Sequence, residues 1–180
     1  METSQVGDVV RAAAEGDVAA WDDLVERFSS FVWSIPRAYR LSREDAADVF
    51  QTTWLRLVEH LRRIDNPERV GAWLATTARR ESLRLLRAAA RSVPTDDLEQ
   101  FESRGPGPPS PEAALLEAER STELWAALEK LTARCQQLLR VLMASPPPSY
   151  VEVAAALDMP IGSIGPIRAR CLGQLRRVLA

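Results

Sequence analysis

The segment from Ser149 to Ala180 constrains the fold more than any other part of the chain, because it has room for two helices around a three-residue turn and little else. Pro146-Pro147-Pro148 breaks the preceding structure, and Ser149 with Glu152 makes a capping box that starts the first helix. Val153, Ala154 and Leu157 give that helix an apolar face, Asp158-Met159-Pro160 forms the turn, and a second helical stretch follows. This is the helix-turn-helix pattern, whose second helix enters a DNA major groove. Arg168, Arg170, Arg176 and Arg177 follow Asp158 with no acid among them, the electrostatic footprint of a nucleic-acid reader.

The net charge of -2 argues against a nucleic-acid partner only until it is divided along the chain. Residues 1–93 carry 14 basic and 14 acidic side chains, 94–122 carry 2 and 7, and 123–180 carry 7 and 4. The acidic excess therefore lies in the middle. There Pro94, Gly105, Pro106, Gly107, Pro108, Pro109 and Pro111 stand among Asp96, Asp97, Glu99 and Glu102, a composition that cannot bury a core. It predicts a flexible acidic linker over 93–111, with Ser110 and Pro111 as N-cap and first residue of the next helix. Apolar residues, 46% of the chain, recur at helical spacing throughout, without alternating strand runs or hairpin turn signals. The expected fold is all-α: two small helical domains, 1–92 and 112–180, joined by that linker, with helices near 5–15, 18–38, 43–63, 67–90, 112–130, 133–144, 149–157 and 163–179.

No apolar run follows Met1 in the manner of a signal peptide and no window approaches a membrane span, so a cytoplasmic protein is expected, without membrane insertion. No large extension follows Ala180, and regulation through an appended domain is not suggested. Cys135 and Cys171 lie on apolar helical faces and read as reduced core thiols. With His60 as the one histidine, no metal site and no cofactor are expected.

In the N-terminal half, Ser42 caps a helix whose first turn carries Glu44, Asp45 and Asp48. Positions 45, 48, 52 and 55 share a face, which read by residue type alone is an ordinary solvated surface. A second helix begins at Asn66-Pro67 as N-cap and N1 and runs to Arg91, with Trp73, Leu74, Ala78, Leu85 and Leu86 mostly inward. Arg79, Arg80, Arg84, Arg87 and Arg91 gather on the remaining surface with one acid, Glu81. Such a face either holds a phosphate backbone or is simply solvated.

These helices, with the C-terminal pair, resemble bacterial RNA polymerase sigma factors of the compact extracytoplasmic-function (ECF) group, which have only regions 2 and 4. Asp45-Ala46-Ala47-Asp48-Val49-Phe50-Gln51 resembles that family's D-A-x-D-x-x-Q signature, and Trp73-Leu74 with Ala78-Arg79 its W-L-x-x-I-A-R signature. Leu128, Leu131, Arg134, Leu138, then Ser149-Tyr150-x-Glu152-Val153-Ala154 and Gly162-Ser163-Ile164, resemble its region 4. The likeness covers about 10–91 and 123–179. It implies a dissociable specificity subunit that is no enzyme. Asp45, Asp48, Gln51, Thr52 and Leu55 would bind core polymerase, which offers the coiled coil of its largest subunit and its flap. Asn66, Trp73, Thr76, Arg80, Arg84 and Arg87 would engage the promoter -10 element, and Ser149, Tyr150, Ser163, Arg168 and Arg170 the -35 element. Promoter DNA and core polymerase are thus the implied partners, and an anti-sigma factor or an activator is a further one that the family admits.

The chain departs from the family where Asn and Asp usually follow the tryptophan signature, having Arg80 and Arg84 instead, which shifts that helix toward phosphate or purine contact. In the second helix of the pair it has Gly162-Ser163-Ile164-Gly165-Pro166-Ile167 for the usual G-T-V-K-S-R. Ile164, Ile167, Cys171 and Leu175 form the inward stripe, leaving Arg168 and Arg170 as outward readers. Pro166 predicts a helix that begins near Ser163 or kinks. Three other readings stand beside this one. A DNA-binding regulator without polymerase would use only residues 149–179. A phosphoesterase with Glu44, Asp45 and Asp48 as metal ligands lacks further inward ligands, and a helical adaptor would use neither DNA-binding surface.

Overall fold

The computed structural model describes residues 3–92 and 122–180, and every regular element among them is helical. The expected linker over 93–111, the cap at Ser110-Pro111 and the helix start near 112 lie outside the described residues. In chain order the helices are α1 (Thr3–Ala14), α2 (Val18–Ala38), α3 (Arg43–His60), α4 (Val70–Ser92), α5 (described over 122–129), α6 (Ala133–Leu142), α7 (Tyr150–Leu157) and α8 (Ile161–Leu179). Short 3-10 turns at Leu61–Arg63 and Pro67–Arg69 join α3 to α4.

Local chemistry accounts for most boundaries. Asp17 starts α2 by accepting from the backbone N–H groups of Ala19 and Ala20, Ser42 starts α3 through Asp45, and Thr132 starts α6 through Cys135. Asn66 makes no capping bond: Pro67 opens a 3-10 turn instead, and α4 begins only at Val70. The last turn of α3 likewise tightens into 3-10 geometry after His60. The helix α8 begins at Ile161, two residues before Ser163, and carries Pro166 within it. A proline so near a helix start removes a single i to i-4 bond, to Gly162.

The packing joins what the linker separates in sequence. Val6 and Val10 of α1, Leu24, Phe28, Phe31, Val32 and Ile35 of α2, Val49 and Leu57 of α3, and Val70, Leu74 and Ala78 of α4 form a buried cluster. Leu138 and Val141 of α6, Val153 and Ala156 of α7, and Ile164 of α8 belong to the same cluster. A smaller one, Leu128, Leu131, Leu139, Cys135 and Cys171, holds α5 and α6 to α8. Within it Cys135 and Cys171 are disulfide-bonded, with Cα atoms 5.3 Å apart, so the expectation of reduced thiols is corrected. Each cysteine does sit on an apolar face, but the crossing of α6 and α8 brings both into bonding range, which helical spacing within either segment cannot reveal.

Candidate nucleic-acid interface

Along α4 the residues Trp73, Thr76, Arg80, Arg84 and Arg87 fall within roughly 80° of one another at about 100° per residue, forming a single stripe. Arg80, Arg84 and Arg87 are exposed, whereas Thr76 is half-buried with its hydroxyl donating to the Ala72 carbonyl. Trp73 is half-buried against the His60 ring, and Asn66 is exposed ahead of the stripe. Arg79, grouped with the surface arginines on sequence, points elsewhere. Its guanidinium reaches Asp158 in the turn between α7 and α8, Nη1 to Oδ2 2.9 Å.

Glu81 is not a surface acid among these arginines either. Its side chain is only 5% exposed and accepts from Arg56 of α3 and Arg84 of α4, each at 2.7 Å. This buried carboxylate ties the two helices together. It adjoins the outer face of α3, where Asp48, Gln51 and Leu55 are exposed and Thr52 is half-buried. Asp48, Gln51, Thr52, Glu81, Arg84 and Leu85 line one shallow cleft. Asp45 stands apart as the acceptor of the Ser42 hydroxyl at the helix start. The α3 surface and the α4 stripe are thus neighbours, and Arg84 belongs to both.

In the C-terminal pair the capping box forms as expected. Glu152 accepts from the Ser149 backbone N–H at 2.6 Å and from its hydroxyl at 2.9 Å. That carboxylate occupies the helix start where a phosphate would have to sit, so Ser149 is engaged internally. Asp158 closes α7 in the left-handed region, φ 54° and ψ 51°, and α8 starts at Ile161. Ile164 and Cys171 face inward as the stripe predicts, and Ile167 and Leu175 pack against the smaller cluster. The outward residues divide. Ser163 and Arg170, seven positions apart, lie within about 20° of each other around the helix, while Arg168 is about 140° from Ser163. Tyr150, exposed at the start of α7, lies against Gly165 on the Arg168 side.

The family description Sigma-70 region 2 matches residues 24–92, which span α2 to α4. An ECF RNA polymerase sigma factor SigE of Mycolicibacterium smegmatis is 30% identical over 173 residues, 93% of this chain. The chain carries a Sigma-70 region 2 match and is similar to an ECF sigma factor. It spans 65% of the length of that relative. Among solved structures, CnrH, determined in complex with the cytosolic domain of CnrY, superposes with a TM-score of 0.60 at 23% identity, over 97% of this chain and 96% of that one. The sigma factor RpoE of Bartonella quintana, determined in complex with the anti-sigma factor NepR, gives 0.60 at 21% identity, over 88% and 96%. Both share the all-α fold of this chain.

Residue types alone did not mark the contacts that join the two halves of the fold. Besides Arg79 with Asp158, the Tyr39 hydroxyl donates to the Ala156 carbonyl at 3.1 Å and Arg40 donates to the Gln136 side-chain carbonyl. The Ser145 N–H donates to the Ser30 hydroxyl. Burial holds the Tyr39 phenol above its ordinary value of 10.0, with Asp158 adding to the rise and Arg79 opposing it. Among the described residues no group of three His, Cys, Asp or Glu side chains is placed to hold a metal, and no helix is long and apolar enough to cross a membrane.

Proposed function

We propose that this chain acts as a sigma factor in the cytoplasm, binding core RNA polymerase and directing it to promoters without itself catalysing a reaction. One observation carries the reading. An exposed Asp48-Gln51-Leu55 face on α3 adjoins an arginine stripe on α4, and both lie in the Sigma-70 region 2 match of a chain that also carries a capped helix-turn-helix. In this reading Asp48, Gln51, Thr52 and Leu55 meet the coiled coil of the largest polymerase subunit, with Asp45 holding the start of their helix. The stripe engages the -10 element: Arg80, Arg84 and Arg87 take phosphates, Asn66 and Thr76 approach bases, and Trp73 is chiefly a wall behind them.

The second helix of the pair takes the -35 element, with the half containing it held on the polymerase flap. Tyr150 and Arg168 supply one flank and Ser163 and Arg170 the other. Ser149 serves as cap rather than phosphate anchor, because its donors already meet Glu152. Two weak readers on one chain raise each other's effective concentration once polymerase holds both DNA elements. An anti-sigma factor is a further partner in this reading, since one structural relative was solved with the anti-sigma factor NepR bound. Co-purification of the full chain with core polymerase tests the reading: retention on core at micromolar concentration supports it, and absence of any complex rejects it in favour of a DNA-binding regulator or an adaptor.

A further inference from the structure

Cys135 and Cys171 close a disulfide between α6 and α8 in a chain whose proposed place is the cytoplasm, where disulfides are typically transient and redox-sensing rather than permanent. Its surroundings favour exchange. Cys135 is 5% exposed and Cys171 wholly buried, so Cys135 is the outer of the two. Cys135 is the third residue of α6, behind the Thr132 cap that accepts from its backbone N–H, and a helix start favours a thiolate over a thiol. Gln174 Oε1 of α8 lies 3.6 Å from Cys135 Sγ. The bonded sulfur has no proton to donate to that acceptor, and the reduced thiol has one. Thr132, Arg134, Arg170 and Gln174 line the cleft over the pair, with no acid among its lining residues, so the cleft suits a small anionic thiol.

In such an exchange a thiolate RS⁻ attacks Cys135 Sγ to form a mixed disulfide, and Cys171 leaves as a thiolate that takes up a proton. A second RS⁻ attacks the small molecule's sulfur, RSSR departs, and Cys135 is released and protonated. Two electrons pass from two small thiols to the protein, the protons are those the thiols lost on ionising, and RSSR reverses the sequence. The bond bears on α8 directly, because that helix buries only two side chains: Ile164 in the large cluster and Cys171 in the small one. Beyond Ile167 the helix is otherwise held by the half-buried Leu172 and Leu175, and Arg168 and Arg170 stand on this stretch. We propose that Cys135 and Cys171 form a thiol–disulfide exchange site for a small anionic thiol, and that the closed bond pins α8 to α6 and so fixes its outward arginines. The consequence for promoter reading rests on the sigma-factor reading, whereas the exchange chemistry does not.

The test equilibrates the full chain in glutathione buffers of varied reduced-to-oxidised ratio, alkylates it and weighs it by mass spectrometry. Thiol and disulfide forms should exchange places across the ratios that span the cytosolic poise. A pair still closed in the most reducing buffer, or still open in the most oxidising, overturns the exchange site. Arg134→Gln should slow reduction by anionic glutathione about threefold and leave reduction by neutral 2-mercaptoethanol unchanged; an unchanged rate with glutathione overturns the anionic partner. Amide hydrogen exchange in α8 beyond Ile167 should quicken about tenfold on reduction. A Cys135→Ser chain, which keeps Cys171 in its core position, should match the reduced chain in every buffer. Amide exchange that does not respond to reduction overturns the pinning of α8. With core polymerase the oxidised chain should give several-fold more run-off transcript than the reduced chain, a difference that Cys135→Ser abolishes; equal transcript from both forms overturns the effect on promoter reading. No transcript from either form rejects the sigma reading instead, while alkylation and amide exchange still decide the site and the pinning.

Discussion

Replacing Glu81 by Gln should loosen the joint between the polymerase-facing helix and the -10 helix. The carboxylate is 5% exposed and receives one guanidinium from each helix, Arg56 and Arg84, both at 2.7 Å. A bond to a charged group in a buried setting contributes about 1.5–3 kcal/mol, but these arginines are 48% and 60% exposed and regain water when released. The discounted total for the pair is about 1–3 kcal/mol, and glutamine turns an amide N–H₂ toward one of the arginines. At about 2–4 °C per kcal/mol for a chain of this size, Tm should fall by about 2–12 °C in calorimetry. A double-mutant cycle on Arg56→Ala and Glu81→Ala isolates the cross-helix part, with an expected coupling of about 0.5–1.5 kcal/mol. Additivity within about 0.3 kcal/mol would refute the claim that Glu81 joins α3 to α4.

Three further outcomes are expected. Asp48→Arg, on an exposed position, should reduce affinity for core polymerase more than tenfold and leave Tm within about 1 °C, as reversal of a rim charge disturbs association more than folding; unchanged affinity in a binding titration counts against the α3 face. Arg168→Ala should cost about 1–3 kcal/mol on the preferred -35 sequence and relax one base position, whereas Arg170→Ala, on the other flank, should weaken all sequences alike; the reverse pattern in DNA binding would assign the groove to the Ser163–Arg170 side. Tyr39 is neutral in the fold and its buried phenol titrates above 10.0, so its contribution to stability is complete below pH 10 and is lost as pH rises through the raised value. In a Tyr150→Phe chain, where Tyr39 is the one remaining tyrosine, phenolate absorbance should therefore rise above pH 10, and a midpoint at 10 would mean the hydroxyl is not buried at the seam.

The caps at Ser42 and Ser149 and the turn were legible because each is decided within a few residues. Ser42 and the Ser149–Glu152 box start their helices through bonds three positions on, and Asp158-Met159-Pro160 separates α7 from α8. The arginine stripe of α4 was legible for the same reason, since Arg80, Arg84 and Arg87 follow helical spacing. Arg79 was not, because which neighbour an intermediate face meets depends on α7, which lies far along the chain. The same distance hid the Cys135–Cys171 bond and the burial of Glu81, both set by how two helices cross. Arg168 and Arg170 are both exposed, as the inward stripe implies, yet their separation around α8 emerges only once the start of that helix and its inward stripe are fixed.

The central claim is that this chain gives core polymerase a promoter specificity it lacks alone. Run-off transcription with core polymerase on a promoter library, with and without the full chain, measures this directly. The account predicts transcripts that depend on the chain, start from a defined subset of templates, and disappear when Arg80 and Arg84 are both changed to Ala. Transcription that is unchanged by adding the chain, from every template in the library, would contradict it.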